Sequence, residues 1–230
     1  MELRVLELLK AGGWIMWPLL ACSAISLAII LERFWSLRRK AVLPPGLGEE
    51  VREWSRRSPL DPKHIDALRA NSALGELLAS ALDVRHKSRE IIKERLEDTG
   101  RHIAHRLERF LNPLGTIASM APLLGLLGTV TGMIRMFIGV GAHGLGEMNA
   151  LAGGIGEALV ATASGISVAI PALLFHRYFR GKVSGYLIDM EREAIGLLDA
   201  LEPPAESIPV PAPAPRRRSA ASAGTAGSVP

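Results

Sequence analysis

Gly153-Gly-Ile-Gly-Glu157-Ala-Leu-Val-Ala-Thr162-Ala-Ser-Gly165-Ile-Ser-Val-Ala-Ile-Pro171 decides how this chain is read. The stretch is far too apolar for a surface helix, carries a small residue at almost every turn, and contains one acid, Glu157. A carboxyl inside an apolar membrane helix is strongly disfavoured unless it meets a partner or a water-filled path, so Glu157 is a functional-site candidate by default. Burial also disfavours the charged form of a carboxyl, and Glu157 is therefore expected to exchange a proton near neutral pH.

Outward from this stretch, the 230-residue chain divides into blocks of charge and hydropathy. Glu157 sits in the last of three apolar segments, 150–176, which ends at His176, Arg177, Arg180 and Lys182. The second, 112–140, follows Arg101, Arg106 and Arg109, and places Arg135 near its far end. The first, 12–35, has no charge from Gly12 to Leu31 and then meets Arg33, Arg38, Arg39 and Lys40. At about 1.5 Å rise per residue each is long enough for a hydrocarbon core of roughly 30 Å.

Positive flanks stay on the cytoplasmic side, so the expected fold is an all-α integral membrane protein with three transmembrane helices, N-out and C-in, whose long helices extend into the cytoplasm. Trp14 and Trp17 at the outer end and Trp35 at the inner end fit aromatic anchoring. A short periplasmic N-terminus (1–11), a cytoplasmic helical region (36–111), a short periplasmic loop (141–149), a cytoplasmic C-terminal helix (177–202) and a disordered Pro/Ala/Ser-rich tail (203–230) complete the plan. The leader balances Glu2 and Glu7 against Arg4 and Lys10, so the first segment reads as a retained anchor and not as a cleaved signal.

Gly125, Gly128 and Gly132 in the second span permit close helix approach, as do Gly154, Ala158 and Thr162, and Ala161, Gly165 and Ala169, along two sides of the third. Pro122 is expected to kink the second span or loosen its backbone bonding. Within 36–111, Ala41 to Leu60 reads as a connector with a short helix around Glu49 to Arg56, and Asp61-Pro62 as an N-cap with proline at the first helical position. The spacing of apolar residues from Ile65 to Phe110 predicts one or two amphipathic helices, breaking near Asn71 to Gly75.

Other chemistries find little support. His102 and His105 share a helix face but lack an obvious third ligand, so no metal or other cofactor is expected. Gly139, Gly141 and Gly144 spell G-x-G-x-x-G after a membrane helix and not after a strand, so the pattern is discounted as a nucleotide site. The net charge of +4 is gathered beside apolar segments without interleaved aromatics, which points to the lipid bilayer and not to nucleic acid. No enzyme activity is expected. Thr129 and Thr162 are candidates to extend a polar path from Glu157, against the alternative that each bonds its own or a neighbouring helix. At about 100° per residue Glu157 and Thr162 stand about 140° apart, so Thr162 is positioned to meet a neighbouring helix.

The run Thr116-Ile-Ala-Ser-Met-Ala-Pro-Leu-Leu-Gly-Leu-Leu-Gly128-Thr-Val-Thr-Gly132, followed by Gly154-Ile-Gly-Glu157-Ala-Leu-Val-Ala-Thr162-Ala and Ala169-Ile-Pro171, resembles the MotA/TolQ/ExbB proton-channel family. The three-span layout resembles its ExbB and TolQ branch. The resemblance implies a homo-oligomer, a pentamer, around helices of a single-span partner of the ExbD or TolR type in the bacterial inner (cytoplasmic) membrane. It implies that Glu157, with Thr129 and Thr162, lines the proton pathway, and that proton flow drives a TonB-like or TolA-like protein. The expectation is an ExbB-like stator subunit energising TonB-dependent import. A TolQ-like subunit of envelope maintenance, a non-conducting scaffold and a small secondary transporter are the alternatives.

Overall fold

The computed structural model describes residues 12–56, 61–143 and 148–201. The expected N-terminal segment 1–11, residues 57–60 of the connector, residues 144–147 of the loop and the tail 203–230 lie outside the described residues. Eight helices are described: α1 Met16–Ser36, α2 Arg39–Val42, α3 Leu47–Arg56, α4 Pro62–Asn71, α5 Ala73–Asp83, α6 Arg89–Glu108, α7 Leu111–His143 and α8 Met148–Leu201. Three of them, α1, α7 and α8, are long and apolar enough to cross a membrane.

The molecule has an apolar end and a polar-shelled end, and α8 runs through both. At the polar-shelled end Phe179, Val183, Tyr186, Met190 and Leu197 form the buried face of α8, against which α2 to α6 pack a continuous apolar core. Of the periodic residues, Ile65, Leu68, Leu74, Leu77, Leu78, Leu82, Ile92, Leu96, Ile103 and Leu107 are buried there, whereas Ile91 and Phe110 are exposed. Arg52 bonds Glu193 at 2.9 Å and Arg89 bonds Asp199 at 3.2 Å, tying α3 and α6 to the far end of α8. At the apolar end the outer faces of α7 and α8 instead expose large apolar side chains such as Leu123, Leu126, Phe137, Leu159 and Ile170. So wide an exposed apolar surface is what a lipid-facing or subunit-facing wall requires.

Local chemistry sets several boundaries. Asp61 caps α4 by accepting from the Lys63 N–H at 3.0 Å, with Pro62 in the first turn. The break near Asn71 to Gly75 falls at Ser72, whose hydroxyl accepts from the Gly75 N–H at 3.0 Å. Gly75 is required there, because a Cβ would lie 2.2 Å from the Leu68 carbonyl.

The structure corrects some expectations. Three helices, not one or two, span Pro62 to Glu108, because a second break falls between Asp83 and Ser88, where the apolar period lapses and Ser88 is extended. The connector after the first span starts with a short helix, α2, and turns at Gly46, whose φ of +82° suits glycine. Helix α7 continues to His143 and α8 begins at Met148, so both helices reach into the expected loop 141–149, and Gly139 and Gly141 are helical. The segments 150–176 and 177–202 lie along one helix, since nothing in His176 to Lys182 interrupts its backbone bonding. Pro122 and Pro171 both sit inside helices that continue past them.

Candidate functional site

Helices α7 and α8 form an antiparallel hairpin whose backbones touch through their small residues. Gly125, Gly128 and Gly132 are all buried, as are Ala158, Gly165 and Ala169 on the facing helix. A Cβ on Gly128 would lie 2.3 Å from that of Ala161, and one on Gly165 would lie 2.6 Å from the Ala121 carbonyl oxygen. Gly132 and Gly154 meet in the same register, with a Cβ on Gly132 only 3.0 Å from the Gly154 oxygen. The small-residue series read from the sequence are thus the contact surface of the hairpin, as close helix packing in membranes demands.

That register brings the two charged side chains of the apolar hairpin together. Arg135 Nη1 donates to Glu157 Oε1 at 2.7 Å, a length typical of a charge-assisted bond. Glu157 is mostly covered, its side chain 16% exposed, whereas Arg135 is 53% exposed.

A third element completes the cover. Just before α1, Gly13 adopts a φ of +68°, and its amide turn is closed by a 3.2 Å bond from the Met16 N–H to the Gly13 oxygen. A Cβ on Gly13 would stand 1.9 Å from Glu157 Oε1 and 3.4 Å from Arg135 Nη1. Only glycine provides both the left-handed turn and the room for the carboxylate. The turn is held in place because Ile15, Met16 and Leu19 are buried with Ala121 and Ala169 between the hairpin helices.

The two threonines lie elsewhere in the hydrogen-bond pattern. Thr129 Oγ1 donates to Leu126 O on its own helix at 2.7 Å, and Thr162 Oγ1 donates across the hairpin to Gly125 O at 3.3 Å. Neither bond involves Glu157. Thr162 meets the neighbouring helix, as its helical phase relative to Glu157 predicts. The residue that sequence reasoning missed is Arg135, placed at a membrane interface and not against Glu157. The signal was present: each is the lone Arg, Lys, Asp or Glu of its apolar segment, and the two are equidistant from Gly146.

At the opposite end of the spans, basic and aromatic groups meet at one level. Arg33, 3% exposed, donates from Nη1 to Leu107 O at 3.1 Å and lies 4.8 Å over the Phe110 ring. Its Nε stands 3.1 Å from Glu32 Oε2, in a geometry that makes an ion pair but no hydrogen bond. Phe34 packs edge-on against Phe175 at 5.5 Å and Phe179 at 5.2 Å, so the ends of α1 and α6, the start of α7 and the middle of α8 are joined.

An all-helical protein with three candidate membrane spans, and one carboxylate held among them by a base and a glycine turn, is a membrane protein with an ionisable group in its apolar half. The chain belongs to the MotA/TolQ/ExbB proton channel family, whose model matches residues 69–192. It is 37% identical over 177 residues to the biopolymer transport protein ExbB-like 1 of Synechocystis sp., covering 76% of this chain and 70% of that one. It is 33% identical over 173 residues to the biopolymer transport protein exbB1 of Vibrio cholerae, covering 73% of this chain and 75% of the relative. With the biopolymer transport protein ExbB of Pseudomonas putida it shares 37% identity over 127 residues, half of this chain and 36% of the relative.

Proposed function

We propose that this chain is an ExbB-like proton-channel and stator subunit of the bacterial inner membrane, with Glu157 as its proton-exchanging acid. It works as a coupling subunit and not as an enzyme. Copies of the chain assemble as a homo-oligomer, a pentamer, around the span of an ExbD-like or TolR-like partner, and proton motive force is passed to a TonB-like protein that energises outer-membrane import.

The single observation behind this reading is the carboxyl of Glu157 enclosed among three apolar helices in a chain of this family. A proton moving across such a site draws on about 2.3 kcal/mol per 100 mV, enough to bias a conformational equilibrium. The ExbB names of the relatives favour import over the TolQ-like, TolA-coupled role. The N-out, C-in orientation and the cytoplasmic placement of α2 to α6 draw support from the basic and aromatic level around Arg33, Phe110 and Tyr178.

The test is growth that depends on energised uptake, such as iron-limited growth, in cells carrying Glu157→Gln, with membrane level and oligomer size followed in parallel. An assembled but inactive variant is the expected result. An assembled and fully active one removes proton exchange at Glu157 and leaves the scaffold reading.

A further inference from the structure

Three elements converge on one carboxylate, and they do so differently. Helix α7 supplies the guanidinium of Arg135, α8 supplies Glu157, and the turn before α1 supplies only the bare backbone of Gly13. We infer that Arg135 and the Gly13 turn form a latch over Glu157, in which the guanidinium occupies Oε1 through its 2.7 Å bond and the glycine leaves the space that this pairing needs. This deepens the proton-carrying reading of Glu157 and rests on it.

The less confined partner is Arg135. The Gly13 turn is pinned by the buried side chains of Ile15, Met16 and Leu19, and Glu157 is on a helix packed through Ala158 and Ala161. The guanidinium is half exposed, whereas the Glu157 side chain is mostly covered. A carboxyl that gains a proton loses the charge-assisted part of its bond to the guanidinium, so protonation of Glu157 and withdrawal of Arg135 favour one another. Among the described residues Arg135 is the charged group that meets Glu157. Helix α8 carries no other charge from Gly153 to Phe175, and the Gly13 turn presents backbone. The titratable side chains of His143, Glu147 and residues 1–11 lie outside the description.

Gly13 allows the latch to be broken without touching either charged residue. A methyl group there collides with the Oε1 position and displaces the carboxylate from Arg135.

The experiment is labelling of the full-length chain in its native membrane with dicyclohexylcarbodiimide, a reagent that modifies carboxyls in their protonated form, with Glu157→Gln as background. R135Q and G13A are each expected to raise labelling of Glu157 severalfold at neutral pH, while R135K, which keeps the charge, stays near the unaltered chain. Unchanged labelling in R135Q, or R135K labelling as fast as R135Q, overturns the latch. Unchanged labelling in G13A overturns the part assigned to the glycine turn. If R135Q does not accumulate in the membrane, the decision falls to G13A, where both charged residues remain. Labelling reads the carboxyl whether or not the chain couples proton flow. A functional Glu157→Gln variant therefore removes the carrier reading while leaving these results to stand by themselves.

Discussion

Arg135 Nη1 and Glu157 Oε1 lie 2.7 Å apart although the two residues are 22 positions apart in sequence. The pairing marks the register of the α7–α8 hairpin, since the same alignment sets Gly128 against Ala161 and Gly165 against Ala121. Packing of small residues and pairing of the two charges therefore support one another, and a slip of the hairpin would lose both.

The hairpin contact predicts a sharp contrast between two glycines of one helix. Gly165→Ala forces a methyl group to 2.6 Å from the Ala121 carbonyl oxygen, which is backbone and does not yield easily. Overpacking of this kind typically costs about 1–3 kcal/mol. Gly181→Ala meets nothing within 4 Å and gains helix propensity, about 1 kcal/mol. Thermal unfolding of the purified chain in detergent should show a lowered midpoint for the first and an unchanged or raised one for the second.

Arg33 predicts that a buried cation holds the junction between α6 and α7. Replacing it with methionine keeps much of the volume but removes the bond to Leu107 O and the contact with Phe110. The expected loss is about 1–3 kcal/mol, from an unsatisfied buried carbonyl together with the missing ring contact. Limited proteolysis between Glu108 and Leu111 should speed up in this variant, and equal rates in the two chains would count against the junction role.

Tyr186 carries a smaller, cleaner prediction. Its hydroxyl donates to Leu37 O at 2.9 Å and ties α8 to the end of α1 from a buried position. Tyr186→Phe keeps the ring and leaves the carbonyl without this donor, with an expected cost of about 1 kcal/mol. Thermal unfolding in detergent should show a lowered midpoint for this variant, and an unchanged midpoint would count against the bond.

Thr162 separates a packing role from a pathway role. Thr162→Val deletes the donor to Gly125 O, and such interhelical bonds in membranes average about 0.6 kcal/mol. Thr162→Ser keeps the hydroxyl. If Thr162 lines the proton pathway as the family resemblance implies, the valine variant loses energised uptake while its thermal midpoint scarcely moves, and the serine variant keeps both. Normal uptake by the valine variant would confine Thr162 to packing.

Much of this protein is legible before any coordinates. Three apolar helices, the N-cap at Asp61, the break at Ser72, the small-residue faces of the hairpin and the isolation of Glu157 all follow from local signals. Length, period, capping chemistry and side-chain size act within a few residues of chain, and they hold wherever the segment is placed. The break between Asp83 and Ser88 was harder to read because both flanks are strongly helical and the only warning is a lapse in the apolar period.

What lay beyond the sequence is the set of contacts that depends on how the helices are brought together. That Arg135 faces Glu157 is decided by hairpin register, which close contacts such as Gly128 against Ala161 set jointly. That Gly13 covers the carboxylate is decided by the burial of Ile15, Met16 and Leu19 against two other helices. The sequence by itself determined which segments are helical, which faces are apolar and which acid is isolated among them. Tertiary structure alone decided the partner of that acid, because an ion pair across helices and a glycine turn from a third element exist only once all three are packed.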